Sequence, residues 1–206
     1  MKKFYGFLIV LFLYLPSTVI NAEIIIDGKL DEAEWKEARQ ITSFYEVFPY
    51  TLNPVEDIRT VILIQESSEG IFLGFKNYQS NESMRSQSHQ RDNERSIADK
   101  NGVTIDFDAD KLSGYQFFVS SSGSIGDATY RNENERSYDW DADWLSAAST
   151  EDGVWYSEMF IPWTVAPMKA QSGEQRKVRM AFYRMLAGPQ RVIATIKGSS
   201  YENLYL

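Results

Sequence analysis

The chain has 206 residues, no cysteine, 29 acidic against 21 basic side chains, and a formal charge of −8. An acidic domain lacks the basic footprint that gripping phosphates requires, which excludes nucleic acid as a partner. With no thiols, stability must come from packing, hydrogen bonds or bound ions rather than from disulfides.

The first element is Met1-Lys2-Lys3, then an apolar run from Phe4 to Leu15 and a small, polar stretch from Pro16 to Ala22. That order of charged end, apolar centre and small residues describes a secretory leader, with Ile20 and Ala22 at the positions the peptidase reads. The apolar run is shorter than the ~20 residues that cross a bilayer as a helix. The expectation is a leader over 1–22, a single domain over 23–206 and no stable membrane span after cleavage. Losing Lys2 and Lys3 takes the formal charge from −8 to −10, because all 29 acidic residues remain. The expected location is the periplasm or cell surface of a bacterium.

Ile24 to Ile26 read as a short strand stopped by Asp27-Gly28, and Leu30 to Ala38 as a short helix. Its expected start is a capping box between Asp31 and Glu34, with Leu30 and Trp35 as the hydrophobic staple. From Ile58 to Ile64 the period becomes two, and Ile71 to Lys76 pairs back through a turn at Ser67-Ser68-Glu69-Gly70. Residues 77–101 are polar and too long for an ordinary connection, which marks a functional or mobile loop. Strand character returns at 102–108 and 115–119, and a second polar loop covers 126–143. Strands at 145–149, 154–161, 178–185 and 192–196 complete about nine short strands, the pattern of an all-β, antiparallel β-sandwich with a short N-terminal helix.

Some landmarks occur in a fixed order: Ile26-Asp27-Gly28-Lys29-Leu30-Asp31-Glu32-Ala33-Glu34-Trp35, the Phe44 to Pro49 segment, Arg91-Asp92 before Asp99, and Val103 to Asp108. Phe118 to Asp127, Trp140 and Trp144, and Asp152-Gly153-Val154-Trp155 with Glu158, Ile161 and Pro162 continue the series, and Arg184 closes it. This order resembles the family 9 carbohydrate-binding module superfamily, especially the version that begins bacterial exported proteins with a following outer-membrane-like domain. The resemblance implies a β-sandwich that binds a polysaccharide or oligosaccharide, in some members between tryptophan rings, with structural Ca²⁺. No such downstream domain follows Leu206, so the chain is either a stand-alone module or part of a longer protein.

Candidate ligand-binding residues are Tyr138, Trp140 and Trp144, whose rings can stack on a sugar or plug the end of the sandwich. Arg91 and Asp92 offer a donor fork and an acceptor for hydroxyls, or a salt bridge holding the long loop. Asp99, Asp106 and Asp108, with Asp110, form a candidate Ca²⁺ set or a solvated face; Asp139, Asp141 and Asp143 carry the same two readings. Glu158 sits among apolar residues and needs a partner, Arg184 or a backbone donor. The only histidine, His89, lies in the long loop, so neither a zinc cluster nor a Ser-His-Asp triad has support, and no catalytic residue is assigned. The leading expectation is non-catalytic carbohydrate binding. An envelope-protein partner is the alternative, and a haem site using His89 with Met84 or Met180 is a remote third.

Overall fold

The computed structural model describes residues 24–93, 95–132, 135–170 and 176–195, and the backbone of 202–205. The expected leader over 1–22 lies outside the described residues. The strands are β1 Arg39–Ile41, β2 Tyr45–Phe48, β3 Thr60–Glu66, β4 Gly70–Tyr78, β5 Lys100–Asp106, β6 Ser113–Ser120 and β7 Ile125–Arg131. They continue as β8 Glu135–Ser137, β9 Leu145–Glu151, β10 Val154–Pro162, β11 Lys177–Leu186, β12 Arg191–Ala194 and β13 Glu202–Tyr205.

They form two antiparallel sheets packed as a sandwich. One runs β1-β3-β4-β10-β9; the other runs β2-β12-β11-β5-β6-β7-β8, with β13 also paired to β11. Alternation decides which side chains meet between them. Ile62, Ile64, Leu73, Phe75, Met159 and Ile161 from the first sheet pack on Val103, Ile105, Phe117, Val119, Met180 and Phe182 from the second. Each large side chain removed from water contributes roughly 1.5–3 kcal/mol toward offsetting chain entropy. The β3–β4 hairpin forms as its pattern predicts, with Ile62 opposite Phe75. Its turn is held by Ser67 Oγ, which accepts the amides of Glu69 and Gly70.

The N-terminal segment differs from expectation. Residues 24–26 join no sheet, and the helix is a four-residue 3-10 turn, Ala33–Lys36, whose N-cap Glu32 makes no side-chain capping bond. Glu32 instead accepts the amide of Ile25 at 3.0 Å, so the Asp31–Glu34 capping box does not form. Burial explains the result: Ile24, Trp35, Ala38 and Leu63 make a second apolar cluster, with Leu30 and Phe72 packed against it, on the outer face of the five-stranded sheet. The segment is shaped to deliver Trp35 to that face rather than to complete helical turns.

Glu158 holds this segment in place. It lies on the outer face of β10, fully buried, and accepts the amides of Asp27 at 3.0 Å and Gly28 at 2.7 Å and the Trp35 indole N–H at 3.1 Å. Gly28 is required there: its φ of +87° suits glycine, and a Cβ would come within 2.8 Å of the Ala148 backbone on β9. Of the two partners anticipated for Glu158, the backbone donor is the one found. Arg184 points the other way, between the sheets.

The second polar loop is largely structured. β7 and β8 occupy most of 125–137 and extend the eight-stranded sheet beyond β6. The first long loop spans 79–99 and is pinned across the strand ends. Asp99 accepts from Gln79 Nε2, the Arg85 amide and the Ala187 amide, while Ser121 and Ser122 donate to the carbonyls of Arg85 and Gln87.

Candidate functional site

The outer face of the eight-stranded sheet carries an aromatic row built on strand register. Tyr183 on β11 lies opposite Gly102 on β5. Gly102 lies opposite Phe118 on β6, and Phe118 opposite Gly126 on β7. A ring therefore alternates with a glycine across four strands. A Cβ on Gly102 would sit 2.8 Å from the Tyr183 hydroxyl and 2.9 Å from its ring, and one on Gly126 would run into the Phe118 ring. The glycines let the two rings lie down along the sheet instead of standing up from it.

Around this row lies a cleft of about 380 Å³, lined by Lys100, Gln116, Phe118, Arg136, Tyr138, Tyr183, Met185 and Val192. Lys100 Nζ sits 5.2 Å from the centre of the Phe118 ring, and the Arg136 guanidinium 4.9 Å from that of Tyr138. Arg136 Nη1 also donates to the Tyr130 hydroxyl at 3.3 Å, and that hydroxyl reaches Gln116 Oε1 at 3.5 Å, a weak contact. Burial raises the Tyr183 phenol well above its ordinary pKa, with Tyr130 and Tyr138 adding to the effect and Arg136 opposing it. Tyr183 therefore remains a neutral O–H. The cleft combines flat apolar surface with fixed donors and acceptors, the composition of a small-molecule site. None of its described lining residues is acidic.

The sequence-derived candidates fall in three places. Tyr138 lines this cleft. Trp140 and Trp144 turn inward instead: Trp140 packs edge-on against Tyr115 at 5.0 Å and Phe117 at 5.8 Å, and Trp144 against Phe117 at 5.4 Å. Trp144 is only 7% exposed, so it is a core plug rather than one wall of a sugar clamp. Trp140 also borders a groove of about 620 Å³ on the other side of β8, with Tyr115, Arg131, Glu135 and Asp139; its ring is braced against the core there.

Arg91 and Asp92 converge with Trp144, but on buried Asp127. Asp127 Oδ2 accepts from Arg91 Nη2, from the Trp144 indole at 2.8 Å and from the Ala142 amide at 3.4 Å. Asp92 Oδ1 accepts the Asp127 amide at 2.8 Å, and Arg91 Nε lies 3.1 Å from Asp141. Burial pushes the Asp92 carboxyl above its ordinary pKa, with the Asp127 amide opposing. Of the two readings of the pair, this geometry is that of a clip between the long loop, β7 and the 138–144 segment.

Asp99, Asp106 and Asp108 do not form one Ca²⁺ site. Asp99 precedes β5 and Asp106 ends it, so the strand's seven residues, roughly 20 Å, separate them. Asp106 is occupied by the amides of Asp108 and Lys111, and Asp108 by the Lys169 amide and Arg176. Among the described residues, the acidic groups within ligand distance of one another are Asp92, Asp127 and Asp141, each offering an oxygen within 4.8 Å of the others. There Asp127 Oδ1 is buried without a hydrogen-bond partner, and Arg91 is the cation between the carboxylates. Met180, one of the two candidate haem partners of His89, is packed in the core.

Phe118, Gln116, Tyr183, Lys100 and Arg136 were not anticipated as site residues. The signal that could have found them is the pair Gly102 and Gly126 in strands opposite aromatic residues, which becomes visible only once the strands are paired.

The fold is that of the family 9 carbohydrate-binding modules. Such a module from Caldicellulosiruptor kristjanssonii in complex with glucose superposes with a TM-score of 0.61 at 9% identity, over 88% of this chain and 90% of that one. A second from the same organism, in complex with cellotriose, gives 0.55 at 11%, over 84% and 78%. A putative carbohydrate-binding protein from Bacteroides uniformis gives 0.60 at 13%, over 82% and 87%. No family profile and no curated protein matches the sequence.

Proposed function

We propose that the protein is a non-catalytic saccharide-binding module, and that the cleft over the Tyr183–Gly102–Phe118–Gly126 row is where the sugar sits. The observation that carries this reading is the aromatic cleft with its polar rim on the open face of a carbohydrate-binding-module fold. A pyranose has an apolar face for stacking and a ring of hydroxyls for directed hydrogen bonds. Tyr138 supplies the partly exposed ring above a floor made by the nearly buried Phe118, while Tyr183 and Arg136, with the buried Gln116 and Lys100 beneath them, supply polar groups. The likeness of the fold to carbohydrate-binding modules supports binding without cleavage. The leader-like residues 1–22 support a place outside the inner membrane, in the periplasm or at the cell surface, where glycans are met.

Calorimetric titration with glucose and cello-oligosaccharides tests the reading. Saturable heat is expected, weakened about tenfold, or roughly 1.4 kcal/mol, in Tyr138→Ala, because loss of a stacking ring removes about that much. Equal affinity in the variant, or no saccharide binding by folded wild type at millimolar concentration, would overturn it.

A further inference from the structure

The outer face of the five-stranded sheet is divided in two. The N-terminal segment covers the half that carries Leu63, Phe72 and Glu158. The other half stays open as a groove of about 430 Å³, within the range of small-molecule pockets. Its floor is set by register: Lys76 on β4 lies opposite both Val61 on β3 and Tyr156 on β10. Tyr78, two residues along β4, points to the same side.

The chemistry of this groove contrasts with the rest of the molecule. In a protein with a formal charge of −8, it gathers Lys29, Lys36, Arg59 and Lys76. The Arg59 guanidinium lies 4.2 Å from the centre of the Tyr78 ring, and Lys76 Nζ sits between Tyr78 at 5.4 Å and Tyr156 at 5.5 Å. Among the described residues neither Arg59 nor Lys76 has a carboxylate within salt-bridge distance, whereas Lys29, Arg91, Lys169, Arg176 and Arg191 do. Asp31, Glu32 and Glu151 also line the groove; Glu32 accepts the Ile25 amide and Glu151 accepts the Tyr156 hydroxyl at 3.3 Å, and among the described residues none of the three forms an ion pair with Arg59 or Lys76. Arg59 and Lys76 are thus placed beside aromatic rings and, among the described residues, form no direct ion pair.

We propose that this groove is a second binding site and that it takes a carboxylate-bearing saccharide, a uronic-acid oligomer. A carboxylate matches the donor fork of Arg59 and the ammonium of Lys76, while the neighbouring Tyr156 ring, which Arg59 does not cover, suits a pyranose. A neutral sugar would leave both cations uncompensated. The site stands on the opposite side of the sandwich from the aromatic cleft and does not depend on it.

The test is calorimetric titration of the whole protein with trigalacturonate, at about 0.05 M and about 0.5 M NaCl, where the Debye length shortens severalfold. Wild type is expected to bind saturably and severalfold more weakly at the higher salt. The double variant Arg59→Gln/Lys76→Gln is expected to lose about tenfold or more, and Tyr138→Ala to bind as wild type does. If near-ultraviolet circular dichroism shows the double variant misfolded, the two single variants carry the same expectation. Unchanged affinity in the charge variants, insensitivity to salt, or no binding by folded wild type would overturn the proposal. Displacement of the sugar by an equal concentration of inorganic phosphate would overturn the saccharide part, because charge alone would then suffice. Loss of cello-oligosaccharide binding in Tyr138→Ala, with galacturonate binding intact, separates the two sites.

Discussion

Glu158→Ala is expected to lower the unfolding free energy by about 3–5 kcal/mol, read by denaturant unfolding. The substitution leaves the amides of Asp27 and Gly28 and the indole of Trp35 without their acceptor in a buried setting, at about 1–3 kcal/mol for each buried donor before relaxation. It also releases the cover over Leu63 and Phe72. Glu158→Gln tests the charge separately. Burial raises the Glu158 carboxyl from its ordinary 4.5 to about 7; the three donors work in the opposite direction, and the neighbouring Glu32 adds to the rise. Between those two pH values the folded protein holds a proton that the unfolded chain has released. Stability from this group is therefore highest at low pH, falls as pH rises through that window, and levels off above about 7, a change on the order of 3 kcal/mol. In the glutamine variant that slope should vanish. A slope identical to wild type would show that Glu158 is not its source.

Arg184→Ala is expected to cost a similar amount, about 3–5 kcal/mol in urea unfolding. Arg184 is fully buried between the sheets and donates to Thr60 Oγ1 at 2.8 Å, to Gln79 Oε1 at 2.7 Å and to the carbonyls of Arg59 and Tyr78. Burial lowers its pKa to about 10, with Asp99 opposing, so it stays charged at neutral pH. Truncation removes a group that joins β11 to the start of β3 and the end of β4, and leaves four acceptors behind. Arg184→Lys should recover little, because an ammonium cannot span the same fork. A loss below about 1 kcal/mol in Arg184→Ala would contradict this role.

Much of the sandwich could be read from alternation. Ile62, Ile64, Leu73, Phe75, Met159 and Ile161 announce their faces because one side of each strand must be dry, and the structure buries all of them. The Asp27-Gly28 and Trp35 landmarks also kept their meaning, since Glu158 collects donors from both. β7 and β8 were hidden because an edge hairpin needs few large apolar residues: Gly126, Ala128 and Thr129 are small enough to read as loop. The helix was over-read from local capping chemistry, which the burial of Trp35 outweighs. The candidate site was the least legible part. Trp140 and Trp144 have the chemistry of sugar-stacking rings, but sequence cannot say which way a loop tryptophan turns, and here Phe117 and Asp127 draw both inward. Tyr138, two residues before Trp140, faces the opposite side. The row of Tyr183, Gly102, Phe118 and Gly126 belongs to four different strands, so it exists only after pairing sets the register.

The most direct measurement is a backbone-amide NMR titration of the protein with cellotriose, residue by residue. Saturating shifts clustered at Lys100, Gln116, Phe118, Arg136, Tyr138 and Tyr183, with the Arg91–Asp127 clip unmoved, are the predicted result. Shifts centred on Trp140, Trp144 and Arg91, or no saturating shift anywhere in the folded protein, would contradict it.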